Sequence, residues 1–174
     1  MNHYFKFSFS FVLLFITSCS KSHKNDKFDS ALEAIGINSK YKVIRYSDFH
    51  GGFHGDGDLI LNLQLQNFTL DDVIKSGWRK LKMPKKMEML LFGGKYNETY
   101  YEGILLFGLE KIGIKSINGL INTNTGHYFF YDKQIKSHDD ISIHKLLFKE
   151  HYSHNFIFCI IDEKGNLWYF ETDS

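Results

Sequence analysis

Leu59-Ile60-Leu61-Asn62-Leu63-Gln64-Leu65-Gln66 alternates without a break. Successive side chains of a β-strand point to opposite faces, so this period of two predicts a strand with four leucines inward and Ile60, Asn62, Gln64 and Gln66 outward. Further strands are predicted on both sides. Tyr41 to Ser47 precedes it, and Gly126 to Tyr131 and the wholly apolar Phe156 to Ile161 follow. Asp162-Glu163-Lys164-Gly165-Asn166 reads as a turn into a last strand, Leu167 to Phe170, with Gly165 as its left-handed residue. Met87 to Phe92 and Tyr100 to Leu106 also read as strands.

Helices are shorter and fewer. Ser30-Ala31-Leu32-Glu33 has the form of a capping box, with Gly36 as the stop. Thr69 caps a second, with Phe68 and Val73 in the two positions of a hydrophobic staple and Gly77 at its end. Asp139 or Asp140 starts a third through Lys149, with Ile143, Leu146 and Leu147 inward. Strands dominate without regular βαβ alternation. The expected class is α+β, a mainly antiparallel sheet with short helices in a single domain.

Upstream, Lys6 and the amino terminus form a modestly positive region, followed by apolar Phe7 to Ile16, interrupted only by Ser8 and Ser10. That run fits the roughly 7–15 apolar residues of a secretory signal and falls short of the roughly 20 that span a bilayer. Ile16-Thr17-Ser18-Cys19 closes it. This stretch resembles the lipobox of bacterial lipoproteins. The resemblance implies cleavage before Cys19, lipid on its sulfur, and a body tethered outside the cytoplasm, with the membrane as partner. Ser20 in place of Asp leans towards the outer membrane where two membranes exist. The expected organisation is a signal over 1–18, a lipidated cysteine and flexible tether over 19–27, and one domain over 28–174. Polar Ser20 to Lys27 spans under roughly 20 Å as a random coil, which keeps the body near the membrane.

Composition narrows the function classes. Of 21 Lys and Arg only Lys6 leaves with the signal, so 20 basic side chains face 20 acidic ones. A neutral body argues against nucleic acid as a partner and against charge as the main mode of membrane binding. Cys159 is the only other cysteine. If Cys19 is acylated no intramolecular disulfide forms, and stability rests on the core. Cys159 sits in a run apolar on both faces and reads as a core thiol, not a nucleophile. No cofactor is expected.

Asp48-Phe49-His50-Gly51-Gly52-Phe53-His54-Gly55-Asp56-Gly57-Asp58 is the stretch with the most chemistry. His50 and His54 have the spacing of a helical zinc-protease pair, but Gly51 occupies the place of the glutamate and glycines disfavour the helix. An EF-hand starting at Asp56 fails at Ile60 and Asn67, and a phosphate loop fails for want of Gly-Lys-Ser/Thr. Parity carried back from Asn62 puts Asp58 and Asp56 on the outer face, with His54 beside them if the chain stays extended. A metal or polar-ligand site at His50, His54, Asp56 and Asp58 therefore stands against a glycine turn whose His and Asp side chains satisfy backbone groups. The loop, together with Trp78-Arg79-Lys80-Leu81-Lys82-Met83-Pro84 and the ends from Asn155 to Asp173, looks like a group of small uncharacterised bacterial proteins. That resemblance implies one domain and no particular activity.

Other candidates are His151 and His154, which complete a site only if they meet the loop, and Tyr96, Tyr100, Tyr101, Tyr128, Tyr131 and Trp168, which suit either a binding surface or cross-strand packing. The reading that results is a lipid-anchored, non-enzymatic binding or structural module. Its alternatives are a metal-assisted hydrolase built on the His50–Asp58 loop and an immunity-type inhibitor of a toxin.

Overall fold

Eight strands form two sheets, in a computed structural model that describes residues 26–51, 56–71, 77–114, 125–134, 136, 138 and 155–173. The chain groups into Met1–Asn38 and Ser39–Ser174, and all the strands lie in the second unit, a mainly antiparallel α+β domain.

In the first unit, residues 26–34 are helical (α1). Lys27, given above to the tether, is thus part of a helix, and Ser30 is not its cap. Ser30 lies inside it, its Oγ donating to the Asp26 carbonyl at 2.8 Å. Gly36 does end it: φ is 72°, the Gly36 amide donates to Glu33 and the Ile37 amide to Leu32, the paired closure of a Schellman motif. Phe28, Ala31, Leu32 and Ile35 are buried, at a spacing that makes one helical face.

The second unit is built on a six-stranded sheet of order β1-β2-β8-β7-β6-β3, from β1 (Lys40–Asp48), β2 (Gly57–Gln66), β3 (Arg79–Lys80), β6 (His127–Asp132), β7 (Phe156–Ile161) and β8 (Asn166–Asp173). Every pairing is antiparallel. β7 and β8 lie in the middle, which is why β7 is apolar at every position. Gly165 makes the β7–β8 turn at φ 77°, while Asp162 Oδ1 accepts from the amides of Lys164 and Asn166 at 2.9 Å each.

Leu59, Leu61, Leu63 and Leu65 are all buried, as the alternation demands. The opposite face is buried as well: Ile60 is 3% and Asn62 5% exposed. A second layer covers that face. α2 (Lys85–Phe92) and α3 (Leu106–Lys111) set Met87, Leu91 and Leu109 against Ile60, Tyr128, Phe158, Trp168 and Phe170. Asn62 remains tolerable there because its Nδ2 donates to Asn166 Oδ1 at 2.8 Å and to the Leu167 carbonyl at 3.3 Å.

The strand expected over Met87–Phe92 is α2. Met, Leu, Glu and Lys are strong helix formers, Pro84 precedes the first turn, and Met87 and Leu91 fall one above the other on the core side. The strand expected over Tyr100–Leu106 is shorter. A hairpin of β4 (Gly94–Tyr96) and β5 (Thr99–Tyr101) ends at Tyr101, and α3 takes up Leu106. Residues 70 and 71 are helical, as the Thr69 reading requires, whereas the helix expected from Asp139 to Lys149 lies outside the described residues.

Candidate functional site

The same alternation that buries Leu59 and Leu61 builds a polar site at one end of their face. Register places Asp48 and Glu171 beside Leu59, Tyr46 and Tyr169 beside Leu61, and Asp173 beside Gly57. Lys133 follows directly on β6. These residues connect. Tyr46 OH donates to Asp48 Oδ2 at 3.0 Å, and Asp48 Oδ1 lies 2.6 Å from His50 Nδ1 and accepts from the His50 amide at 3.1 Å. His50 Nε2 faces Asp173 Oδ2 at 3.7 Å. Lys133 Nζ binds Asp173 Oδ1 and donates to Glu171 Oε1 at 2.7 Å, and Tyr169 OH donates to Glu171 Oε2 at 2.8 Å.

Gly57 makes the crossing from β1 to β8 possible. β2 lies between these strands, and a Cβ on Gly57 would stand 2.6 Å from His50 Cα and 2.7 Å from the Phe49 carbonyl oxygen. Its φ of 153° also suits glycine. The bare backbone lets the chain after Asp48 lie across β2 and bring His50 to Asp173. The Phe49 amide holds that path by donating to the Asp58 carbonyl at 2.8 Å.

Lys133, Tyr46 and Tyr169 are tuned by burial and by neighbouring carboxylates. Burial alone would lower Lys133, but its hydrogen bonds to Asp173 and Glu171 and their negative charges outweigh that and leave it raised. Tyr46 is raised by burial and by Asp48. Tyr169 is pushed far above the ordinary phenol value by burial and by the Glu171 charge. Each group is thereby kept in its resting protonation state: the lysine as ammonium, the tyrosines as donors.

Of the described residues among His50, His54, Asp56 and Asp58, His50 alone joins this network. Asp56 is exposed, outside any strand. Asp58 shares the face of Ile60, opposite to Asp48, Glu171 and Leu59. His54, His151 and His154 lie outside the described residues. Among the described residues no group of three or more His, Cys, Asp or Glu has the geometry of a metal site. Tyr169, Glu171 and Asp173 join the network unpredicted, and their i, i+2, i+4 spacing is the sequence signal for one shared face. Lys133 carried no such signal.

The aromatic candidates divide. Tyr128 and Trp168 are core residues, 3% and 6% exposed, which removes them from any binding surface. Tyr101 packs partly against the core, and Tyr100 is 71% exposed. Cys159 is fully buried, and burial pushes its thiol well up. It shares a sheet face with Tyr169, with which it is in register.

No protein-family model, curated protein or solved structure matches the chain.

Proposed function

We propose that the chain is a lipid-anchored envelope protein whose folded body is a non-enzymatic binding or structural module. The observation that carries the anchor is Phe7 to Cys19: an apolar run of signal length ending in Ile16-Thr17-Ser18-Cys19. The polar network supports the second half. His50 has a carboxylate at each ring nitrogen, and Lys133 is held by two more carboxylate contacts. Groups engaged in this way fasten a loop to a strand. A nucleophile or general base needs a free lone pair aimed at a substrate.

The test is Cys19→Ser in the host cell. Incorporation of labelled palmitate is expected to stop, and the protein to leave the membrane fraction. Membrane attachment that continues without lipid would overturn the anchor. For the body, His50→Ala is expected to loosen the loop, seen as faster amide exchange over Phe49–Gly51, without abolishing the fold.

A further inference from the structure

The formal neutrality of the body hides a strong segregation of charge. Arg79, Lys80, Lys82, Lys85 and Lys86 occupy five of eight consecutive positions, with no acidic residue before Glu88. The central part of this segment faces outward. Leu81 and Met83 pack against the core while Lys80 and Lys82 are exposed, on either side of a tight turn in which the Lys82 amide donates to the Lys80 carbonyl at 2.7 Å. Leu81 is fixed by its amide donating to the Gly126 carbonyl at 2.9 Å, and Arg79 by donating to the His138 carbonyl at 2.7 Å. Pro84 then starts α2, which presents Lys85 at 67% side-chain exposure.

Opposing charges among the described residues are these. Glu88 lies 3.6 Å from Lys85, and Glu163 acts on the same His127 as Lys80. The main acidic group is elsewhere. β3 is one edge of the sheet and β1 the other. Lys80 pairs with His127, at the end of the sheet where β7 finishes, whereas Asp48, Asp58 and Asp173 stand where β2 begins. The Arg79–Lys86 segment and the Asp48, Asp58 and Asp173 group, which also holds Lys133, thus lie towards opposite ends of the sheet, with Asp162 and Glu163 the acidic residues that follow β7 at the basic end.

We propose that the Arg79–Lys86 ribbon is the face by which the anchored body lies against an anionic phospholipid surface. The proposal rests on the anchor reading, because a body on a short tether samples the membrane continuously and a few lysines suffice to orient it. A cluster of four to eight basic residues beside a membrane attachment attracts anionic lipid, by about fivefold in affinity per lysine. The end with Asp48, Asp58 and Asp173, repelled by the same surface, would then face away.

The experiment uses the native lipidated protein on vesicles of phosphatidylcholine alone and of equimolar phosphatidylcholine and phosphatidylglycerol. Lysine acetylation is read residue by residue by mass spectrometry. Exposed Lys40 and Lys42, on the opposite edge strand, serve as internal references. Acetylation of Lys80, Lys82 and Lys85 is expected to slow severalfold on the phosphatidylglycerol vesicles alone. The shielding should vanish at about 1 M salt, where the Debye length is about 3 Å. In a Lys80→Gln/Lys82→Gln variant, Lys85 should lose its shielding while acetylation of Lys40 and Lys42 is unchanged.

Equal reactivity on both vesicles would overturn the proposal. So would shielding by added heparin with none by phosphatidylglycerol, which would assign the ribbon to a soluble polyanion. Retention on pure phosphatidylcholine reports separately on the lipid at Cys19. Failure of the anchor therefore shows as release from those vesicles, and failure of the ribbon as retention without shielding.

Discussion

Gly57 illustrates how one missing methyl group organises a site. A Cβ there would overlap the backbone at His50, which has no room to move while the Phe49 amide is bonded to Asp58. Gly57→Ala is expected to cost about 1–3 kcal/mol through backbone strain and to detach His50 from Asp173, read as a fall in melting temperature together with a changed His50 Nε2 chemical shift. A normal shift in a stable Gly57→Ala protein would remove the proposed role. Lys133 is the second critical residue, since Glu171 and Asp173 share it. Lys133→Met keeps the aliphatic stem and leaves the two carboxylates without their cation. A loss of about 1–3 kcal/mol is expected by denaturant titration, the range for a charged hydrogen-bonding group left without its partner. An unchanged midpoint would show that solvent already screens the pair.

At the scale of elements, the β4–β5 hairpin turns at Asn97 and Glu98, with φ of 45° and 67°. Two positive φ values are the mark of a type I′ turn, for which Asn-Gly is the favoured pair. Glu98→Gly is expected to stabilise the hairpin by about 0.5–1 kcal/mol, the left-handed penalty less the extra chain entropy of glycine. Amide exchange across Gly94–Tyr101 measures it, and faster exchange would contradict the turn assignment. α2 shows where period fails to separate helix from strand. Met87–Phe92 is apolar apart from Glu88, and a run of that length fits a buried strand or a buried helix equally by period. Pro84, Met and Leu propensities and the core on one side decide for the helix. Ser30 was misread for a related reason: a capping-box pattern also occurs inside a helix that has already begun.

Over the whole molecule, pH acts through His127. It is 7% exposed, and its Nδ1 has no hydrogen-bond partner among the described residues. Burial and then the Lys80 charge lower its pKa from the ordinary 6.5, with Glu163 opposing. A histidine with a lowered folded pKa contributes stability that is complete above its unfolded value and lost as pH falls through the folded one. Wild-type stability should therefore decline below about pH 6.5, and His127→Leu, which also removes an unsatisfied buried nitrogen, should flatten that decline. Parallel acid limbs in thermal melts of the two proteins would show that carboxylates alone are responsible.

By itself the sequence determined where β1, β2, β6, β7 and β8 lie, β2 from its alternation and β7 from its wholly apolar run. It also determined the left-handed turn at Gly165 and the apolar run Phe7–Ile16 that precedes Thr17-Ser18-Cys19. These follow from local periodicity and backbone sterics, which need no knowledge of neighbours. Tertiary structure alone decided that Ile60 and Asn62 are buried, because α2, α3 and the residues around them pack on that face. It also decided which charges meet. His50 was legible as a candidate, but Asp173, which it faces, and Lys133, which holds Asp173, lie 123 and 83 residues away along the chain, and strand order brings them together. Side-chain chemistry is written locally, whereas charge pairing depends on register, and register is a property of the assembled sheet.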